Sequence, residues 1–185
     1  MKRTLSLALL LGLAAAPAVT ARDVAGVALP NTVSVDGKTL ELNGAGLRTK
    51  MVFRVYVAGL YLETPSKDAA TVISSDQVKR MHLSILRSLD RSKITEAISE
   101  GFEKNSKGEL PGLKARLDRL NSMIPNVEKG DQIHLTYVPG RGTVVSAKNV
   151  DKGVIEGKDF ADALFSVWLG TNPVQPDLKK GLLGG

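Results

Sequence analysis

The chain has 185 residues, is 43% hydrophobic, carries a formal charge of +6 and contains no cysteine. That length suits one domain with a sizeable core, and the missing thiols exclude disulfides, thiol catalysis and thiolate metal sites. The basic residues are scattered and not interleaved with aromatics, which argues against nucleic-acid binding and leaves a mild attraction for anionic ligands or a lipid surface.

Lys2 and Arg3 precede an apolar run from Leu5 to Ala16, and Val19-Thr20-Ala21 has the small residues of an export-signal cleavage site. The run is shorter than the ~20 residues that span a bilayer. Residues 1–21 therefore read as a cleavable signal peptide of bacterial type, with residues 22–185 as the exported domain and the periplasm as its expected location. Removing Lys2 and Arg3 lowers the charge by two, from +6 to +4. No later stretch is long and apolar enough to span.

Residues 24–63 read as strand-rich. Asp36-Gly37 between Asn31–Val35 and Lys38–Leu42 is a two-residue hairpin signal. Gly44 and Gly46 interrupt the pattern and suggest a bulge or tight turn. Residues 51–62 are apolar at both parities, the mark of a central strand covered on both faces. A short helix is expected near residues 67–73 and a strand from Arg80 to Leu86. Ile94, Ala97, Ile98, Gly101 and Phe102 then form one helical stripe, with Asp90 or Ser92 as its cap. Leu113, Leu117, Leu120 and Ile124 form the stripe of a second helix. Residues 132–138 and 143–148 read as a hairpin around Pro139-Gly140-Arg141-Gly142, with a short strand at 154–156. A helix from Phe160 to Leu169 ends at Gly170, and a last short helix runs from Pro173 or Pro176 to Leu183. The order predicts an α+β fold, an antiparallel sheet with helices packed on one face.

No nucleophile elbow, zinc motif, phosphate loop or dinucleotide fingerprint is present, so neither a cofactor nor a metal is implied. His82 and His134 read as two strand histidines, with a shared metal or acid–base site as the alternative. Gly44-Ala45-Gly46 is too short for a phosphate loop and reads as backbone geometry. Arg48, Arg54 and Tyr56 share even parity, and an unbroken strand would point all three to one face. A guanidinium in apolar surroundings needs an anion. Either an internal Asp or Glu supplies it, or a ligand carboxylate held by Arg48 and Tyr56 does.

Three runs carry a family resemblance: Gly44-Ala45-Gly46-Leu47-Arg48, Val55-Tyr56-Val57-Ala58-Gly59-Leu60-Tyr61-Leu62, and Gly170-Thr171-Asn172-Pro173-Val174. Over residues 27–183 the chain resembles the chalcone isomerase-like family. The resemblance implies an open-faced β-sandwich, a large antiparallel sheet with helices layered on one face and a cleft between them. The plant enzyme of that family closes a chalcone to a flavanone with an Arg, a strand Thr, a Tyr, an Asn and a late Thr or Ser. Arg48 matches the Arg, but Tyr56, Ile94, Gly101 and Val167 stand at or near the other four positions, so little of the enone-polarising set is present. Plastid fatty-acid-binding members use an Arg and a Tyr on the carboxylate, which Arg48 and Tyr56 match. The third branch is bacterial and exported, as the signal suggests. The expected function is non-catalytic binding of a fatty acid or similar small amphipathic carboxylate, with Arg48 and Tyr56 at its head and Ile94, Ile98, Phe102 and Val167 along its tail. The alternatives are an isomerase or intramolecular lyase acting through Arg48 and Tyr56, a phenolic ligand, and an envelope structural or partner-binding domain.

Overall fold

Asp36 and Gly37 both adopt positive φ, 51° and 75°, the geometry that joins two strands through a two-residue turn. They link β3 (Thr32–Val35) to β4 (Lys38–Lys50) in the computed structural model, which describes residues 20–185. The signal segment expected at residues 1–21 lies outside the described residues except for its last two, and Ala21 opens β1 (Ala21–Val24), which pairs with β2 (Val27–Pro30).

The main sheet has seven strands in sequential order, all antiparallel. After β3 and β4 come β5 (Phe53–Leu62), β6 (Lys79–Ile85), β7 (Gln132–Val138), β8 (Gly142–Ala147) and β9 (Val150–Ile155). The helices are α1 (Ala69–Ser74), α2 (Arg91–Asn105), α3 (Leu110–Met123), α4 (Lys158–Leu169) and α5 (Pro176–Leu182). Asp68 caps α1 through its carboxylate, whereas Asp90 occupies the cap position of α2 without a side-chain bond.

One face of the sheet carries Ala58, Leu60, Met81, Leu83, Ile133, Leu135 and Val145, packed against apolar side chains of α2, α3 and α4. This is the open-faced α+β sandwich expected from the sequence. The β1–β2 hairpin covers part of the opposite face through Leu29, against Ala45 and Val57. Among the described residues, no helix is long and apolar enough to cross a membrane.

The expected strand at residues 51–62 is corrected. It begins at Phe53, and Met51-Val52 is the turn that returns β4 into β5. Residue 51 adopts φ 55°. Without Gly, Pro, Asn or Asp at this turn, an apolar run reads as continuous strand. β9 is also longer than the short strand expected at 154–156.

The Gly44-Ala45-Gly46 run owes its composition to α5, which crosses β4 with backbone nearly touching backbone. A Cβ on Gly181 would lie 2.7 Å from the Ala45 carbonyl oxygen, and one on Gly44 would collide with the Gly181 carbonyl. A bulge also sits here, since pairing passes from Leu42–Tyr61 to Gly44–Leu60 and leaves Asn43 unpaired. Asn43 uses the freedom to donate to the Leu182 carbonyl at 2.9 Å, which fixes α5.

Candidate functional site

Arg48 and Tyr56 do not lie on one strand. The hairpin turn places them on neighbouring strands as direct cross-strand partners, close enough for side chains to interact. A second bulge follows at once. Pairing moves from Arg48–Tyr56 to Thr49–Arg54 and leaves Val55 without a partner. Arg54 is exposed and does not line the cleft that Arg48 and Tyr56 share, which corrects its expected place on their face.

That cleft is a cavity of about 300 Å³ between the sheet and helices α2 and α4. Its floor is Tyr56, Leu83, Ile85 and Ile133, and its roof is Ile94, Ala97, Ile98, Val167 and Trp168, with Val174 following α4. The exposed lining residues, Lys50, Met51, Phe53, Arg87 and Lys93, mark the mouth. Among the described residues, four cations and no carboxylate line it.

Of the expected site residues, Arg48, Tyr56, Ile94, Ile98 and Val167 come together here. Phe102 does not. It is fully buried against Phe160, with ring centroids 5.4 Å apart, and belongs to the core. Successive residues four apart advance about 40° round a helix, so by Phe102 the stripe has turned away from the cavity. Gly101 has its own reason: a Cβ there would lie 2.7 Å from Val167 Cγ1, so the crossing of α2 and α4 admits no larger residue without movement.

Tyr56 accepts a hydrogen bond from Trp168 Nε1 at 3.0 Å. Burial raises its pKa above the ordinary phenol value, while the Trp168 N–H and the Arg48 charge pull it the other way. The hydroxyl is therefore protonated near neutrality, and its own hydrogen remains to be donated. Arg48 donates through Nη1 to the Thr49 carbonyl and, at 3.2 Å, to Gln175 Oε1. Among the described residues it has no carboxylate partner within salt-bridge distance.

Gln175 is a site residue that sequence reasoning missed. Its Oε1 also accepts from the Thr49 N–H at 2.9 Å, and its Nε2 donates to the Leu47 carbonyl at 3.3 Å. It thus mends the edge of β4 where the bulge disturbs the ladder. The run Gly170–Val174 is likewise held in place, since Asn105 donates to the Asn172 carbonyl and accepts from the Asn172 N–H. The Val174 N–H then binds the Val167 carbonyl at 2.8 Å, and Val174 lines the cavity.

His82 and His134, far apart in sequence, face each other in register on β6 and β7. His134 Nε2 lies 2.9 Å from His82 Nδ1, and His82 Nε2 lies 2.7 Å from Ser84 Oγ. Burial first, and then nearby Arg80, lower both pKa values to about 4, and the His134 charge adds to the shift of His82. A shared hydrogen bond also requires one bare ring nitrogen. The pair points away from the cavity, and no group of three metal-ligating side chains occurs among the described residues.

A seven-strand antiparallel sheet roofed by helices over an apolar cleft, with an Arg–Tyr pair at one end, defines an open-faced sandwich built around a ligand-sized cavity. The chain belongs to the chalcone isomerase-like family, whose profile matches residues 21–184. Among solved structures it is similar to a crystal structure of a fatty-acid binding protein from Arabidopsis thaliana. The two share 17% identity with a TM-score of 0.65, over 85% of this chain and 92% of that one. No curated protein matches the chain. At this identity the likeness is one of fold.

Proposed function

We propose that this protein is an exported, non-catalytic binding protein for a small amphipathic carboxylate, a fatty acid being the simplest case. The observation that carries the reading is Arg48, a cation at the edge of an apolar cavity with no carboxylate partner among the described residues. A ligand carboxylate would take paired, charge-assisted bonds from the guanidinium and one from the Tyr56 hydroxyl. The acyl chain would lie between Ile94, Ile98 and Val167 above and Leu83, Ile85 and Ile133 below. The volume is at the lower end of the range for small-molecule clefts, about 300–1,000 Å³. The Arabidopsis neighbour is described as a fatty-acid binding protein, which supports the same class of ligand. Against cyclisation of an enone stand Ile94, Gly101 and Val167, none of which can polarise a carbonyl. The basic n-region, apolar run and small-residue cleavage pattern support export.

The test is native mass spectrometry of the purified protein followed by solvent extraction. A co-purified acyl carboxylate, lost in Arg48→Ala, is the expected result. A protein that carries no lipid and gains no thermal stability from added fatty acid would overturn the reading. At 100 times Kd, added ligand is expected to contribute about 2.7 kcal/mol.

A further inference from the structure

The β4–β5 turn presents three consecutive apolar side chains to solvent. Met51 is 89% exposed, Val52 88% and Phe53 51%, and these are three of the four large exposed apolar residues among the described residues. The turn itself needs none of them, and exposed apolar groups clustered at one tip mark an interaction site.

Cations surround this tip. Lys50 and Arg54 flank it along the chain, and both are exposed. Arg87 stacks its guanidinium 4.3 Å from the Phe53 ring centre. Lys93 stands across the cavity mouth and is held 3.5 Å from Glu96. An apolar tip ringed by Lys and Arg is complementary to the surface of an anionic bilayer, where apolar side chains enter the acyl boundary and the cations meet the headgroups. Lys50, Met51 and Phe53 also line the cavity mouth, so a seated tip would place that mouth against the lipid.

We propose that the Met51–Phe53 turn is a membrane-docking tip that seats the cavity mouth on an anionic phospholipid surface. The inference deepens the binding function and rests on it for its purpose, but docking is measurable with the cavity empty. The experiment uses the processed chain, since the described fold lies within residues 20–185 and the apolar N-terminal run would bind lipid by itself. Co-sedimentation is measured with phosphatidylcholine vesicles, with and without 30% phosphatidylglycerol.

The expected result is binding to the anionic vesicles that weakens in 0.5 M salt, by about fivefold for each cation at the surface. Met51→Asn/Val52→Ser is expected to lower partitioning at least roughly tenfold. Asn suits the positive φ of residue 51, and both side chains are exposed, so the variant should keep the parent's melting temperature. Equal sedimentation of variant and parent, or no parent binding to anionic vesicles, overturns the proposal. So does a dimer that the double substitution dissolves, which would make the tip a contact between copies. Arg48→Ala separates the two readings in one direction, since loss of ligand with retained vesicle binding leaves docking standing. Val52→Ser, at the tip but outside the cavity lining, separates them in the other, since loss of vesicle binding with retained ligand leaves the cavity standing.

Discussion

The helix-facing side of the sheet carries two cations in contrasting surroundings, Arg48 on β4 and Lys79 at the start of β6. Lys79 is wholly buried, and its ammonium donates to the carbonyls of Val72, Ile73 and Ser75 at 3.0, 2.5 and 3.1 Å. Asp162 lies 3.6 Å away, and the rings of Tyr137 and Phe165 flank the nitrogen. Three donors meet three acceptors, so Lys79 closes the end of α1 and has nothing left to offer. Arg48 has five N–H groups and among the described residues meets only one carbonyl and one amide oxygen. Saturation of the donors, more than burial, separates the structural cation from the available one.

The sharpest way to break this contrast is Lys79→Ala. It strands three carbonyls, takes away one of the two ammonium partners of Asp162 and leaves a cavity, so a loss of about 3–5 kcal/mol is expected from urea unfolding. Folded variant protein should keep its ligand. Arg48→Ala should do the opposite. Ligand affinity is expected to fall by about 1.5–3 kcal/mol in calorimetric titration, the scale of hydrogen bonds to a charged group, while stability changes by less than about 1 kcal/mol. Equal destabilisation by the two substitutions would erase the distinction.

The roof gives a third handle. Gly101→Ala drives a methyl into Val167, and a cost of about 1–3 kcal/mol is expected. Adding Val167→Ala should recover part of it, since the two side chains share one space.

The smallest expected effect concerns polar groups that the sheet keeps neutral. His82 and His134 titrate near 4 in the folded state against 6.5 for the free side chain. Between these values the unfolded chain binds more protons, so stability is complete above pH 6.5 and is lost as pH falls toward 4. For partly exposed rings the loss is on the order of 1–2 kcal/mol. It should be read in unfolding midpoints down to pH 4.5, above the range where carboxylates dominate. The His82→Gln/His134→Gln double variant should flatten the slope.

The sequence and the structure part company where long-range register decides. The Asp36-Gly37 hairpin and the stripes of α2 and α3 follow from local rules, and the family runs carry the architecture. The Met51–Val52 turn was illegible because hydrophobicity alone cannot tell a core strand from an exposed apolar tip. Shared parity on one strand puts Arg48 and Tyr56 together for the wrong geometric reason, since the hairpin makes them cross-strand neighbours. The helical stripe puts Phe102 in the cleft because it specifies a face and omits its slow rotation. Lys79 left one unused signal, a charge at the same parity as Met81, Leu83 and Ile85. Nothing local marked Gln175, which acts on β4 from the far end of the chain, or the meeting of the two histidines across strands.

That reach of Gln175 has a kinetic meaning. Neighbouring strands of the sheet are consecutive in sequence, so most ladders close short loops and form at little entropic cost. The C-terminal segment is different. Gln175 and Thr49 are 126 residues apart, and α5 lies on β4 only once that loop has closed. The β4–β5 hairpin, with Arg48 and Tyr56, is therefore expected to form before the segment carrying Val174, Gln175 and α5 docks on it. Release of this C-terminal latch would uncover the Val174 side of the cleft and free Arg48 from Gln175, with the sheet and the roof of α2 and α4 intact.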